Sequence, residues 1–139
     1  MDKNKLLKAL DDESNENLLN FTSKKLREMT LNILKELNLP REETMKLMKA
    51  LKDYKYVDEM NDIKYGTFIR WIPISDPENI ELTRGAIFCE MNITDDGVFM
   101  VCKNFSHKHF QIKFDECLVF QKLTSQEQVL LSALDHLSK

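Results

Sequence analysis

The stretch IELTRGAIFCEMNITDDGVFMVCKNF, residues 80–105, decides the fold. Ile87, Cys89, Met91 and Ile93 alternate with Phe88, Glu90 and Asn92, the period of two that puts successive side chains on opposite faces of a strand. Asp95-Asp96-Gly97 then supplies a tight turn, its glycine tolerating a positive φ. Val98 to Phe105 returns as a second apolar strand. A strand, a turn and a strand make a hairpin, so this part of the chain is antiparallel sheet. The first strand of the pair is expected over Ile80–Thr94, bent at Gly85, where a missing side chain weakens strand pairing.

Working outward, Ser106-His107-Lys108-His109 reads as another turn. Phe110, Ile112 and Phe114 alternate with Gln111 and Lys113, and Cys117 to Gln121 follows beyond Asp115-Glu116. Upstream, Tyr65 to Ile74 is rich in aromatic and β-branched residues and reads as a strand, with a loop at Ser75–Asn79 and a transition at Tyr54–Lys64. The meander therefore has four to five strands. Such a sheet must hide its edges, which points to a curled sheet or a small SH3-like or Sm-like half-barrel.

The rest of the chain has helical spacing. Leu6, Leu7 and Leu10 suggest a short amphipathic helix. Leu19, Leu26, Met29, Ile33 and Leu37 predict a helix within 14–37, begun near Ser14 or, if shorter, at Thr22 or Ser23. Asn38-Leu39-Pro40 ends it, and a second helix runs to about Asp53 with Met45, Met48 and Leu51 inward, forming an αα-hairpin. At the other end, Thr124 and Glu127 are spaced as a capping box ahead of Leu130, Leu134 and Leu137. The expected class is α+β: a helical arm over 1–56, and a β-unit with a C-terminal helix over 57–139, folding as one domain.

The 139 residues carry a net charge of −3 that is unevenly spread. Residues 1–56 have twelve Lys/Arg against ten Asp/Glu, whereas 57–139 have eight against thirteen. An acidic β-half is a poor match for a phosphate backbone. No apolar run approaches the length of a membrane span, and no signal peptide is recognisable. Three cysteines without such a signal fit free thiols in a reducing compartment, cytoplasm or nucleus.

No constellation carries chemistry. Cys102, His107, His109 and Cys117 lack the paired spacings of a zinc site, and cysteines inside apolar strands behave as small hydrophobes. The pairs Asp58/Glu59, Asp95/Asp96 and Asp115/Glu116 read as solvated loop residues. With three glycines in the chain there is no phosphate-cradling loop. The sequence thus assigns no catalytic, metal or cofactor site and no small-molecule substrate. Its aromatic content points instead to a non-enzymatic protein-interaction or assembly module, binding a protein partner or another copy through Tyr65, Phe68, Arg70 and Trp71, since aromatics and Arg dominate binding hot spots. Alternation sends Trp71 and Arg70 to opposite faces, which leaves Trp71 in the core or at an interface. The alternative is a small-barrel reader of single-stranded nucleic acid, with aromatic stacking platforms and cations from Arg84, Lys103, Lys108 and Lys113.

Gly66, Phe68, Ile69, Arg70, Trp71 and Ile72, then Gly85, then Phe120 and Lys122, form a pattern that resembles small uncharacterised proteins of large eukaryotic DNA viruses. It covers about half the chain and departs at Arg84-Gly85-Ala86, where two glycines would be expected. The resemblance implies a viral or virion-associated protein and names no activity.

Overall fold

The computed structural model describes Asn4 and residues 22–137. The expected helix over the first ten residues and the start of a helix at Ser14 lie outside them. The chain divides into two compact units, one taking Met1–Lys52 with Leu123–Lys139 and the other Asp53–Lys122. The C-terminal helix therefore groups with the helical arm, not with the β-unit as its place in the sequence suggested.

In the helical unit, α1 spans Ser23–Lys35, α2 Arg41–Ala50 and α3 Ser125–Leu137. Thr22 caps α1, its hydroxyl accepting from the Lys25 amide at 3.2 Å. Asn38 ends it with φ 54°, the left-handed conformation asparagine tolerates past a helix C-terminus. Thr124 and Glu127 form the capping box: the Glu127 amide donates to the Thr124 hydroxyl at 3.1 Å, and the Thr124 amide to the Glu127 carboxylate at 2.9 Å. Leu26 of α1 packs with Leu130 and Leu131 of α3, flanked by Met29, Leu123 and Leu134. The Ser23 amide also donates to the Asp135 carboxylate at 2.8 Å, satisfying one of the unpaired donors at the start of α1. Helix α2 departs from its expected inward stripe: Leu51, just past its end, is buried, but Met45 is 57 % exposed. Among the described residues no helix is long and apolar enough to cross a membrane.

The β-unit is an open antiparallel sheet of six strands: β1 Tyr54–Val57, β2 Phe68–Pro73, β3 Ala86–Thr94, β4 Gly97–Lys103, β5 His109–Lys113 and β6 Cys117–Lys122. Their order is β1-β6-β2-β3-β4-β5. Strands β2 to β5 make the expected meander; β6 then returns to the far side of β2, and β1 adds beyond it. The strand β1 falls in the stretch read as a transition. Strand β2 starts three residues later than expected and β3 begins at Ala86 rather than Ile80. The preceding segment is held by single bonds, the Thr83 amide donating to the Trp71 carbonyl at 3.0 Å.

Topology forces this sheet to curl. In a flat sheet β5 and β6 would lie four strand spacings apart, about 19 Å. Only the 3-10 turn Phe114–Glu116 joins them, and four Cα steps reach about 14 Å at full extension. The aromatic rings agree, since Trp71 on β2 meets Phe110 on β5 with centroids 6.0 Å apart. The concave face holds the core: Val57, Ile69, Trp71, Phe88, Met100, Cys102 and Val119. On the convex side of β2 and β6, Ile72, Leu118 and Phe120 are also buried.

A bulge in β3 resets the alternation. Phe88 pairs with Cys102 but Glu90 pairs with Val101, leaving Cys89 as the extra residue. Before it Ala86 and Phe88 point inward; after it Met91 does. Ile87 and Cys89 therefore do not share a face with Met91 as simple alternation predicted, and Ile87 is exposed on the convex side.

Gly85 is fixed by sterics. Its φ is +96°, and an added Cβ would collide with the Ile69 carbonyl oxygen and the Phe68 ring, whereas Gly66, at φ +79°, faces open space. Urea titration should give a loss of about 1 kcal/mol for Gly66→Ala, from backbone strain alone, and about 3 kcal/mol for Gly85→Ala, where overpacking adds to it. Equal losses would contradict the close approach of β2 to Gly85.

Candidate functional site

A patch on the convex face of the β-unit displays aromatic residues. The register aligns Phe68, Ile87, Lys103 and His109 in a row across β2, β3, β4 and β5 on the convex face. Arg84 and the 104–108 turn lie on one side of that row, and the 65–66 turn lies on the other, beside Phe88. Gly66 and Thr67 hook the first turn to β3: the Gly66 amide donates to the Phe88 carbonyl and the Phe88 amide to the Thr67 carbonyl, both at 2.8 Å. Tyr65, next to this hook, is 81 % exposed.

Asn104 builds the other turn. Its side-chain oxygen accepts from the Ser106 amide at 2.9 Å and the Lys108 amide at 3.0 Å. His107 takes φ 62° to close the loop. The turn holds Phe105 at 79 % exposure, its ring 6.0 Å from that of half-buried Phe68. A bonded turn that exposes a phenylalanine orders an apolar group in water, which stability alone does not require.

The four residues expected to touch a partner separate. Phe68 belongs to this patch, and Tyr65 stands on the other side of the row from the 104–108 turn. Arg70 lies further along the convex side of β2, half-buried, its Nε–H donating to the Thr83 carbonyl at 2.8 Å. Trp71 is 7 % exposed within the concave core against Phe110, so its bulk is used in packing. The four cations of the nucleic-acid alternative also separate. Lys103 stands in the row itself, and Arg84 and Lys108 lie on the same side of it as Phe105. Lys113 stands at the opposite end of β5, where it pairs with Glu116 at 3.7 Å. Phe105 and Ile87 were missed as surface residues. The phase change at Cys89 hid Ile87, and Phe105 read as the last residue of a strand.

Cys102 and Cys117 sit in surroundings that suppress thiol reactivity. Burial, with smaller effects from the neighbouring Cys89 and Cys117, pushes the Cys102 thiol up to about 12. Burial and the Glu116 carboxylate raise Cys117 to about 11. A nucleophilic thiol needs the opposite, an electropositive and partly open site. His107 and His109 are exposed at the 104–108 turn while Cys102 is fully buried. Among the described residues no group of three or more His, Cys, Asp or Glu is placed to hold a metal ion.

Comparison with protein-family models, curated proteins and solved structures returned no match.

At about pH 8, Cys102 and Cys117 of the folded protein should react with a thiol reagent far more slowly than in the unfolded chain. A raised thiol pKa means the folded state keeps protons that the unfolded state loses above its ordinary value near 9. Stability should therefore be flat below that pH and fall as pH climbs towards 12. Fast native labelling of Cys102, or stability rising over that window, would contradict the burial.

Proposed function

We propose that the β-unit is a non-enzymatic protein-interaction module whose contact surface is a convex patch of Phe68, Ile87 and Phe105, with Tyr65 on one side of it and Arg84, Lys103 and Lys108 toward the other. The observation that carries this reading is the hydrogen-bonded 104–108 turn, which displays Phe105 beside Phe68. Isolated exposed apolar residues are ordinary. Here two aromatics about four-fifths exposed flank two apolar residues of neighbouring strands, with cations at the rim. Such a composition, aromatic at the centre and polar at the edge, is what interface hot spots share. The raised thiols and the core position of Trp71 are in keeping with a module that binds rather than reacts. Three free cysteines suit a reducing compartment such as cytoplasm or nucleus, and the viral resemblance adds a virion or infected cell as the setting.

A second reading is kept for a specific reason. Residues 97–114 contain no Asp or Glu and bring Lys103 and Lys108 beside Phe105, so a single-stranded nucleic acid could stack there. Retention on a single-stranded oligonucleotide that weakens with salt would favour it.

Phe105→Glu changes an exposed turn residue and should leave the circular dichroism spectrum and melting curve intact. In quantitative pull-downs from cells expressing each form, proteins retained by the wild type should drop at least about fivefold with the variant. Identical retention profiles would refute the assignment of this surface.

A further inference from the structure

Strand register extends the convex row of Phe68, Ile87, Lys103 and His109 across the whole sheet. One step on from the Ile69–Gln121 pair, Lys122 of β6 stands beside Phe68, and Tyr54 of β1 pairs with Lys122. In strand order the row reads Tyr54, Lys122, Phe68, Ile87, Lys103, His109. Alternation sets them on the convex face, since the adjoining Ile69, Cys102 and Phe110 pack in or against the concave core. Two lysines therefore bracket an apolar pair, Phe68 and Ile87, and the exposed ring of Phe105 extends that pair. Lys122 is exposed and Lys103 half-buried. Among the described residues neither makes an ion pair, nor do Arg84 and Lys108. Glu90 shares the convex face of β3, but it lies on the other side of the row from Arg84.

The spacing of this pattern matches one kind of partner. Lys122 and Lys103 stand three strand spacings apart, about 14 Å. An extended peptide advances about 3.4 Å per residue, so two side chains four residues apart span about the same 14 Å. In such a peptide a residue and those two positions before and after it point to the same side. Carboxylates at the outer positions and an apolar side chain at the middle one therefore meet the row together.

We propose that this row binds an extended acidic peptide segment of a partner protein, a bulky apolar side chain resting on Phe68, Ile87 and Phe105 and carboxylates two positions to either side meeting Lys103 and Lys122. This rests on the interaction-module reading and names the chemistry of its partner. Exposed charge pairs hold little by themselves; here the apolar contact holds the segment, while the lysines set its register and turn away basic sequences. A single-stranded nucleic acid fits less well. Ile87, at the centre of the row, offers no ring for a base to stack on. A long polyanion would also run into the field of a chain of net charge −3, whereas a short segment brings two charges to the two lysines.

NMR titration of the isotope-labelled full chain tests it. The probe is a short synthetic peptide with leucine at its centre, glutamate two positions to either side and serine elsewhere. At low salt it should shift the backbone amides of Phe68, Ile87, Lys103 and Phe105 in a saturable way. Lysines in place of the glutamates, or glycine in place of the leucine, should weaken binding at least about tenfold. The Lys103→Glu/Lys122→Glu variant should reverse the preference, binding the lysine peptide and releasing the glutamate one; a misfolded variant could not produce that reversal. A wild type that binds the two charged peptides alike, or neither, overturns the inference, as does a double variant whose preference does not reverse. Saturable shifts of the same amides with single-stranded DNA, and none with the glutamate peptide, also overturn it and assign the row to nucleic acid. If the peptide fails while Phe105-dependent capture of another protein persists, the acidic-segment chemistry fails and the interaction reading stands; loss of both removes both.

Discussion

The three residues Phe114–Glu116 constrain the β-unit more than any other feature. They join strands that lie at opposite sides of a four-strand meander, and they are too few to cross a flat sheet. The sheet must bend until the ends of β5 and β6 approach. Bending creates a concave side, which fills with Trp71, Phe88, Met100 and Val119. It leaves a convex side on which Phe68 and Ile87 face outward beside Phe105. Core and candidate surface are thus two faces of one geometric requirement. The bulge at Cys89 serves the same end, adding twist where a regular strand would resist it.

Local chemistry was legible in the residues. The Asp95-Asp96-Gly97 turn, the helix stop at Asn38-Leu39-Pro40 and the Thr124–Glu127 capping box each need a few neighbouring residues, and each formed as read. Long-range pairings were not legible. Strand β1 is four residues long and is a strand because β6 lies beside it, so Tyr54–Val57 had only its alternating tyrosines to announce it. Cys89 looked like any residue of an alternating strand; the bulge appears once β4 supplies a register to count against. The C-terminal helix follows the sheet in sequence, but its leucines pair with Leu26, about a hundred residues earlier.

The same limit governed the candidate site. Opposite-face placement of Trp71 and Arg70 follows from strand period and holds. Which face is interior does not follow from it, and Trp71 joined the core. Three of four basic residues converge because hairpin register aligns Arg84, Lys103 and Lys108 with one end. Lys113, ten residues from Lys103 along the chain, lies at the other. Charge totals were a weak guide for a related reason. The acidic sum over the β-half suggested an acidic surface, whereas residues 97–114 hold no Asp or Glu and keep Lys103 and Lys108 in a locally basic stretch that the sum does not record.

The curl itself is open to direct observation. In a NOESY spectrum of the folded protein, the Trp71 indole and the Phe110 ring should show mutual contacts, alongside the backbone cross-strand contacts that order β2, β3, β4 and β5. A flat sheet would hold β2 and β5 about 14 Å apart. The strand-order contacts present, with no contact between Trp71 and Phe110, would contradict the account.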